Sequence, residues 1–309
     1  MINKIQRLIT DKYYRFGILQ SKGFFKKMND RKYLEMMYQF KLGKPLNLDT
    51  PRSFNEKLQW LKLHDRNPIY TQMVDKYEAK KFVASIIGEE YIIPTLGVWD
   101  HFEDIDFSEL PNQFVLKCTH DSGGLVIVRD KSAFDTKKAR RIINQSLKRN
   151  FFYYGREWPY KNVKPRIIAE QYMEDEKSKD LPDYKIHNFG GIPKVILVCR
   201  DRFTGQGLTE DFFTDTWTHL DVKRPNHENA SARIESPSDL EEMLDLAKKL
   251  SEKIPFLRTD FYTINGKIYF GELTFFPTSG FDGFEPSSFD DTMGEWIKID
   301  VGGEKGNTK

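Results

Sequence analysis

The sequence predicts an α+β protein in which a helical N-terminal region precedes antiparallel sheets. Residues 1 to about 90 carry apolar side chains at helical spacing, and no strand alternates with these helices. From residue 91 onward, short runs of strand-forming residues are separated by glycine-rich or polar turns. Several of these runs are close enough together to form hairpins, which join antiparallel strands. A complete Rossmann-type unit is therefore not expected at the front of the chain.

The amino-acid composition indicates which class of protein this is and in which cellular compartment it is expected. The 309 residues are 39% hydrophobic and 30% charged, which is typical of a globular protein with two or three subdomains. A net charge of +2 gives no general attraction to nucleic acid. The N-terminus is too short and polar for a signal peptide, and no apolar run approaches the length of a membrane span. Cys118 and Cys199 lie in apolar runs, so we expect buried free thiols and a cytoplasmic protein without an integral membrane segment.

Helix boundaries can be read from capping signals. Residues 31–40 predict a helix that ends at Gly43, and residues 53–56 (Ser-Phe-Asn-Glu) form a capping box that opens the next helix. A third, continuous helix is expected to follow Pro68 and to run to residue 88. A second capping box is predicted at residues 238–241 (Ser-Asp-Leu-Glu).

A hairpin near the C-terminal end carries the densest set of charged side chains. Strand-forming residues flank Asn265 and Gly266, which together are a strong turn signal. One arm holds Arg258 and Asp260, and the other holds Glu272. A cross-strand ion pair on the surface would account for this set by itself, whereas two carboxylates on one face could share a Mg²⁺ ion.

The register of that hairpin decides whether the two carboxylates can cooperate. A two-residue turn would place Asp260 and Glu272 on opposite faces, because side chains alternate along a strand. A three-residue loop that pairs Thr263 with Lys267 would place both carboxylates on the same face. A metal ion shared by the two carboxylates requires the same-face arrangement, which the three-residue loop would give; the turn signal alone leaves both registers open.

A second candidate site lies at residues 114–124. Lys117 interrupts the apolar strand 114–118, and a lysine in such a position costs free energy unless it meets an anion. Ser122, Gly123 and Gly124 follow, and small residues let backbone N–H groups approach phosphate oxygens. A tight hairpin with a lysine that extends to solvent is the alternative interpretation.

The order of these motifs resembles the ATP-grasp superfamily and, more closely, the TupA-like ATP-grasp family found with bacterial surface-polysaccharide genes. The similarity spans roughly residues 30 to 298 and includes the strand lysine with its glycine turn and the Arg-x-Asp and Glu-x-Thr arms of the hairpin. The segments that carry the closer match are Ser53-Phe-Asn-Glu-Lys-Leu-Gln-Trp-Leu-Lys62, Phe114-Val-Leu-Lys-Cys-Thr-His-Asp-Ser-Gly123, Tyr154-Gly-Arg-Glu-Trp-Pro-Tyr160 and Gly271-Glu-Leu-Thr-Phe-Phe-Pro277.

The resemblance implies an ATP-grasp fold, with the nucleotide held between two α+β lobes that contain antiparallel sheets. We expect a helical region at 1–90, a small lobe with the glycine-rich phosphate loop at 91–165, a C-terminal lobe with the metal site at 166–300 and a disordered tail at 301–309.

The resemblance also implies a role for individual residues, with ATP and Mg²⁺ as cofactors. Glu170 to Met173 would form the hinge strand beside adenine, Asp183 would bind the ribose hydroxyls, and Arg258 and Lys185 would act in catalysis on the transferred phosphoryl group. The residues implied in nucleotide binding are Lys76, Lys117, Ser122, Gly123, Gly124, Glu170, Gln171, Met173 and Asp183, with Lys80 as an alternative to Lys76. The implied metal ligands are Asp260, Glu272 and Thr274, where Thr274 replaces the asparagine usual in the superfamily.

The activity implied is that of an ATP-dependent carboxylate–amine ligase acting through an acyl phosphate. The family implies a small-molecule carboxylate, such as a uronic acid or nucleotide-linked sugar of capsule or other surface-polysaccharide biosynthesis, together with an amine. Candidate acceptor contacts are Arg156, Trp158, Tyr160, Arg200 and Arg202. A small-molecule or sugar kinase on the same fold, a glycosyltransferase using Asp104 and Asp106, and a glycan-binding module without turnover are the alternatives. The sequence leaves the two substrates and the oligomeric state open.

Overall fold

The computed structural model of the protein describes residue 6 and residues 9–176, 181–200 and 207–301. Five helices occupy the N-terminal region of this described part. They are α1 (Lys12–Ser21), α2 (Asp30–Leu42), α3 (Phe54–His64), α4 (Ile69–Val74) and α5 (Glu78–Ile87). The predicted tail beyond residue 301 lies outside the described residues.

The predicted caps of α2 and α3 are confirmed. Gly43 follows α2 in the left-handed conformation, with φ of 70°, and its N–H donates to the carbonyl of Gln39. At α3 the Ser53 hydroxyl accepts from the Glu56 N–H at 3.4 Å, while the Glu56 carboxylate accepts from the Ser53 N–H at 3.2 Å. This reciprocal pair fixes the start of α3.

The third predicted helix is wrong as a single element, because α4 and α5 are separate. Asp75 adopts an extended conformation with ψ of 113°. Its carboxylate accepts hydrogen bonds from the N–H groups of Tyr77 and Glu78, and it also pairs with Arg166 at 2.8 Å. An aspartate that hydrogen-bonds to the following backbone competes with continued helix, so the chain breaks there and restarts.

The first sheet contains four antiparallel strands in the order β1-β4-β2-β3. Their bounds are β1 (Thr95–Trp99), β2 (Phe114–Cys118), β3 (Leu125–Val128) and β4 (Ile167–Gln171). Helix α6 (Thr136–Leu147) packs Ala139 and Ile143 into the same hydrophobic cluster as Phe114 and Leu116. The short helix α7 (Phe152–Gly155) follows α6. Because β4 pairs with β1 and β2, it belongs to this first sheet, although the boundary predicted at 165/166 assigns it to the C-terminal lobe.

The second sheet contains six antiparallel strands in the order β10-β9-β5-β6-β7-β8. The strands are β5 (Asp183–Phe189), β6 (Ile192–Arg200), β7 (Thr209–Thr214), β8 (His219–Leu220), β9 (Phe256–Ile264) and β10 (Lys267–Thr274), with helices α8 (Leu240–Leu250) and α9 (Ser288–Trp296). Helix α8 covers one face with an apolar stripe that includes Met243, Ala247 and Leu250. The capping box predicted for α8 is wrong, since the helix starts at Leu240 and its N-cap, Asp239, makes no side-chain capping bond.

The other face of the second sheet is divided into an apolar half and a charged half. Phe54 of α3 packs its ring 4.9 Å from that of Phe256, and Phe289 of α9 lies 5.9 Å from Phe212. Toward the first sheet, the paired strands β5 and β9 carry Asp183 and Asp260. The apolar packing stabilises the sheet and so fixes the position of the charged side chains on the same face.

The β9–β10 hairpin has a two-residue turn, which is the first of the two registers considered above and not the three-residue loop. Ile264 pairs with Lys267, and Asn265 and Gly266 have φ of 53° and 73°, the conformation that an Asn-Gly turn of this kind requires. A β-bulge at Gly271 then shifts the register so that Glu272 lies directly opposite Asp260.

There is little space for a side chain at position 271, where the bulge lies. A Cβ atom there would lie 3.0 Å from the Tyr262 ring and 3.2 Å from the carbonyl oxygen of Asp260. The two carboxylates therefore share a face, but by a different local structure from the one expected. Among the described residues, no helix is both long and apolar enough to cross a membrane.

Candidate active site

A cleft of about 220 Å³ lies between the two sheets. Five of the predicted nucleotide-binding residues line this cleft: Lys117, Glu170, Gln171, Met173 and Asp183. Apolar side chains complete its walls, among them Val115, Leu125, Ile127, Tyr262 and Ile264. A pocket that combines apolar walls with a few converging charges suits a ligand with a flat ring and a charged end.

Strand alternation divides the side chains of the first sheet between the cleft and the core, and those on the cleft side are both charged and apolar. On β2, Val115 and Lys117 point to the cleft, while the alternate residues Phe114, Leu116 and Cys118 point to the core under α6. Val115 pairs with Ile127 of β3 and with Glu170 of β4. Lys117 thus lies diagonally across from Glu170 on the cleft side.

Glu170 joins two lysines in the cleft. Its carboxylate lies 2.5 Å from the Lys117 Nζ and 2.6 Å from the Lys80 Nζ, and Lys80 also donates to the carbonyl of Ile93 at 2.6 Å. Burial alone would raise the pKa of Glu170, but the charges of Lys117 and Lys80 lower it to about 2. Burial lowers the pKa of Lys80, and Glu170 partly offsets this effect. Two cations on one carboxylate leave positive charge available to an anionic ligand.

We expect Glu170→Gln to lower the free energy of unfolding by about 3 kcal/mol at pH 7, because it leaves two lysines beside a neutral amide. The carboxylate's contribution is complete above its ordinary pKa of 4.5 and is lost as pH falls toward about 2. Urea unfolding at pH 7 and pH 3 measures the difference. Glu109→Gln, at an exposed position, is the control. Equal stability of Glu170→Gln and wild type at pH 7 would contradict this account.

The glycine loop after β2 is ordered by an aspartate that the sequence analysis missed. Asp121 accepts hydrogen bonds from the N–H groups of Gly123 and Gly124, at 3.2 and 3.1 Å, and it also accepts from the Ser146 hydroxyl. Gly124 is confined, since a Cβ there would lie 2.5 Å from the Cys118 Sγ. Ser122 and Gly123 are exposed. The loop is thus shaped before any ligand arrives.

Lys76 belongs to this loop and not to the wall of the cleft. Its backbone N–H donates to the carbonyl of Thr119 at 3.0 Å, and its side chain donates to the carbonyl of Asp121. Lys80 is the lysine of that segment that pairs with Glu170. The structure therefore places Lys80 beside Lys117 and places Lys76 at the base of the loop.

The charged half of the second sheet holds the predicted catalytic pair. Arg258 binds Asp260 through two hydrogen bonds, from Nε and Nη2, both at 2.7 Å. Lys185 lies between two carboxylates, with its Nζ 2.6 Å from Asp260 and 2.5 Å from Asp183. These four side chains are buried, and Asp260 is 1% exposed. Such a cluster holds each charge in a fixed position without solvent reorganisation.

The pKa directions agree with this arrangement. Burial would raise the pKa of Asp260, but Arg258 and Lys185 hold it below its ordinary value. Burial would lower the pKa of Lys185, but Asp260 and Asp183 raise it. Asp183 differs, because burial raises its pKa and Lys185 offsets the effect in part. Lys185 therefore remains a cation near neutral pH.

Glu272 and Thr274 border this cluster on β10. Arg258 Nη2 donates to the Glu272 carboxylate at 2.9 Å and to the Thr274 hydroxyl at 3.1 Å, and that hydroxyl lies 3.2 Å from the same carboxylate. The Glu272 side chain is 44% exposed. It is the carboxylate of this cluster that solvent reaches most easily.

The donor set fits a magnesium ion that is carried by a nucleotide. Among the described residues, no group of three or more His, Cys, Asp or Glu side chains could hold a metal ion alone. Mg²⁺ is usually bound by one or two carboxylates together with phosphate oxygens and water, and Asp260 and Glu272 supply two carboxylates on one face. Arg258 neutralises both of them in this structure.

Comparison with known proteins identifies the family. The family model described as TupA-like ATPgrasp matches residues 56–298. The chain belongs to the TupA-like ATP-grasp family. The predicted resemblance and the ATP-grasp fold are thereby confirmed. A search of the curated proteins finds no match for this TupA-like protein.

Solved structures with some similarity to this TupA-like protein are ATP-grasp enzymes and ligases. A D-alanine–D-alanine ligase from Bacillus anthracis complexed with ATP is 16% identical, with 72% of this chain and 56% of that chain covered and a TM-score of 0.37. A D-alanine–D-alanine ligase from Helicobacter pylori is 13% identical, covering 80% and 71%, with a TM-score of 0.42. The ATP-grasp ligase PsnB complexed with a minimal precursor, Mg and ADP is 9% identical, covering 90% and 74%, with a TM-score of 0.41. This TupA-like protein thus spans less than two thirds of the first of these chains.

Two of the candidate acceptor contacts have partners within the protein, and a third lies outside the described residues. Arg156 is 2% exposed, pairs with Asp30 at 3.1 Å and donates to the carbonyl of Phe25 at 2.7 Å, so it anchors the N-terminal helices of this TupA-like protein. The indole N–H of Trp158 donates to the carbonyl of Asp65. Arg202 lies outside the described residues.

The residues that suggested a glycosyltransferase form a surface turn. Asp106 accepts hydrogen bonds from the Ser108 N–H at 2.9 Å and hydroxyl at 2.6 Å, and Asp104 ends a short 3₁₀ turn. Both aspartates are exposed. Asp106 therefore has a local role in the turn of this TupA-like protein.

The sequence analysis missed two features of the cleft. One is the role of Asp121, whose position two residues before Gly123 fits the local turns that aspartates form with nearby backbone N–H groups. The other is the apolar wall, including Leu125 and Ile127 of β3. Strand alternation from Lys117 through its paired strands would have identified that wall.

Proposed function

We propose that this protein is an ATP-dependent carboxylate–amine ligase that forms an amide through an acyl phosphate. The observation that carries the proposal is the buried cluster of Arg258, Asp260 and Lys185, bordered by Glu272, on the same face as Asp183 at the rim of the cleft. Opposite charges held at one end of an apolar cleft suit transfer of a phosphoryl group from a nucleotide.

The reaction consists of two displacements. A carboxylate oxygen of the first substrate attacks the γ-phosphorus of ATP, and the bond from that phosphorus to the β,γ-bridging oxygen breaks, giving an acyl phosphate and ADP. The amine nitrogen of the second substrate then attacks the acyl carbon, the carbon–oxygen bond to phosphate breaks, and the amine loses a proton. The products are an amide, ADP and inorganic phosphate.

The cleft residues bind and orient the nucleotide in this proposal. Lys117 and Lys80 contact its phosphates, with Glu170 holding both lysines in position. Gln171 and Met173 border the base, and Asp183 binds the ribose. The backbone N–H of Gln171 already donates to the carbonyl of Pro94 at 3.0 Å. The base is therefore recognised by other polar groups of residues 170–173.

The glycine loop covers the phosphates. Its two N–H groups, at Gly123 and Gly124, donate to phosphate oxygens in place of the Asp121 carboxylate to which they donate in this structure. Ser122 and Lys76 complete the loop. The exchange of one anion for another keeps the loop N–H groups paired.

Arg258 and Lys185 stabilise the charge that develops on the transferred group. Both are buried cations with fixed partners, so they are oriented before the reaction begins. A bound Mg²⁺ would be held by Asp260, Glu272 and the Thr274 hydroxyl, and it would supply charge neutralisation on the phosphates.

We further propose that the carboxylate belongs to a sugar acid, such as a uronic acid or a nucleotide-linked sugar, of surface-polysaccharide biosynthesis. The support for this part is the likeness to the TupA-like family.

Phosphorus NMR of the purified protein with Mg-ATP, a pool of uronic acids and nucleotide-linked sugar acids, and a pool of amino acids tests the reaction type. We expect ADP and an equimolar amount of inorganic phosphate, formed when both an acid and an amine are present. A new phosphoester signal in place of free phosphate would show a kinase and overturn the ligase proposal.

A further inference from the structure

The N-terminal part of the chain differs in charge from the rest. Residues 1–32 contain nine Lys or Arg and two Asp, which gives a net charge of +7. Because the whole chain carries +2, the rest of the sequence carries −5. The positive charge is thus concentrated in a segment whose described residues neither line the cleft nor belong to the charged cluster.

The turn after α1 exposes a phenylalanine beside three lysines. Gly23 turns the chain with φ of 73°, and Phe25 then points inward, with its ring 5.0 Å from that of Phe16. Phe24 points outward and is 74% exposed. Lys22, Lys26 and Lys27 on either side of it are exposed as well. Phe24 thus presents apolar surface to solvent directly beside three positive charges.

A second aromatic side chain extends this surface. The Gln20 side chain donates to the carbonyl of Tyr154 at 3.2 Å, which ties the end of α1 to α7. Tyr154 is 50% exposed. The Nζ of Lys26 lies 5.3 Å from the ring of the neighbouring Tyr153. Two aromatic side chains and several lysines therefore face solvent on adjoining elements.

We propose that these residues form a basic-aromatic surface, made of Lys22, Phe24, Lys26, Lys27 and Tyr154, that binds the surface of a bilayer containing anionic lipid. The lysines are attracted to the anionic headgroups. Phe24 enters the boundary between headgroups and acyl chains, where its ring leaves water, and Tyr154 lies at headgroup depth.

A bilayer fits this surface better than a nucleic acid does. The ring of Phe24 gains little from contact with a phosphate backbone, whereas a bilayer offers both anionic charge and an apolar layer within a few ångströms of each other. Lysines bind phosphate of either source as point charges, so the phenylalanine is what distinguishes a bilayer from a double-stranded nucleic acid, whose bases are already stacked on one another. The proposal does not depend on the ligase activity.

Cosedimentation of the full-length protein with vesicles tests this inference. We expect binding to vesicles of phosphatidylcholine with about one-third phosphatidylglycerol, and at least about tenfold weaker binding to pure phosphatidylcholine. The triple variant Lys22→Glu, Lys26→Glu, Lys27→Glu should bind the anionic vesicles at least about tenfold more weakly. Phe24→Ser should also weaken binding, at unchanged lysine charge.

Two matched variants control for general charge and general hydrophobicity. Lys137→Glu, Lys138→Glu, Arg141→Glu reverses three exposed cations of α6, and Ile192→Ser removes an apolar side chain that is 56% exposed. Both should bind vesicles as wild type does, and thermal unfolding should show that all variants are folded. Equal binding to both vesicle types, equal weakening by the control triple variant, or unchanged binding of Phe24→Ser would overturn the proposal.

Discussion

Glu272→Gln is expected to reduce Mg-ATP turnover by about 10²–10³-fold while the protein remains folded. Glutamine keeps the size of the side chain but removes one of the two carboxylates that face each other across β9 and β10. The Glu272 side chain is 44% exposed, so we expect the free energy of unfolding to change by about 1 kcal/mol or less. Steady-state release of phosphate from ATP, in the presence of both substrates, measures the effect.

A matched control separates this effect from loss of charge in general. Glu252→Gln changes a glutamate whose side chain is 72% exposed, in the turn after α8. We expect wild-type turnover for this control. Turnover of Glu272→Gln within about threefold of wild type would show that Glu272 holds no metal ion in the reaction.

Asp260→Asn is expected to abolish turnover and, unlike Glu272→Gln, to destabilise the protein by about 3–5 kcal/mol. Asp260 accepts two hydrogen bonds from Arg258 and one from Lys185, and it is 1% exposed. An asparagine would present an N–H₂ group to one of these cations and leave two buried positive charges short of a partner. Urea unfolding monitored by circular dichroism gives the loss directly.

The pH dependence of that loss identifies its cause. The folded-state pKa of Asp260 is lowered, so its carboxylate stabilises the protein above the ordinary value of 3.8 and ceases to do so as pH falls below it. The difference between wild type and Asp260→Asn should therefore be full at pH 7 and shrink in acid. Asp245→Asn, at an exposed position of α8, is the control. A difference that persists unchanged in acid would point to packing and not to charge.

The β9–β10 hairpin shows which structural features can be predicted from local sequence patterns. The Asn265-Gly266 turn and the strand-forming residues on both sides correctly predict two paired strands. The register could not be obtained in the same way, because the turn fixes only the first pairs and the bulge at Gly271 shifts the pairs beyond it. A glycine in a strand is a signal for a bulge, but it does not show which way the register shifts.

The prediction of helix boundaries was wrong where a side chain contacts a residue far away in the sequence. Asp75 lies in a run with helical periodicity, yet it binds Arg166 as well as the backbone N–H groups that follow it. The sequence shows the helical run but not the arginine 91 residues away. The free thiols of Cys118 and Cys199 were predicted correctly, because burial in an apolar strand needs no distant partner.

The candidate site was partly predictable for the same reason. A lysine in an apolar strand predicted an anion near Lys117, and the structure supplies one from the protein itself, Glu170. The partners of the glycine loop, Asp121 and Ser146, depend on how α6 packs against β2 and could not be predicted from spacing. The positions of Arg258, Asp260 and Lys185 on one face follow from the pairing of β5 with β9, which is a long-range contact.

Calorimetric titration of the wild-type protein and of Lys117→Met with Mg-ATP tests the central claim most directly, since it measures the nucleotide cleft without knowledge of the substrates. The account predicts saturable binding of one Mg-ATP per chain to wild type. It also predicts binding at least about tenfold weaker to Lys117→Met, because a cation that meets the phosphates is lost. No saturable binding to the folded wild-type protein, or equal affinity of the two proteins, would contradict the assignment of this cleft to ATP.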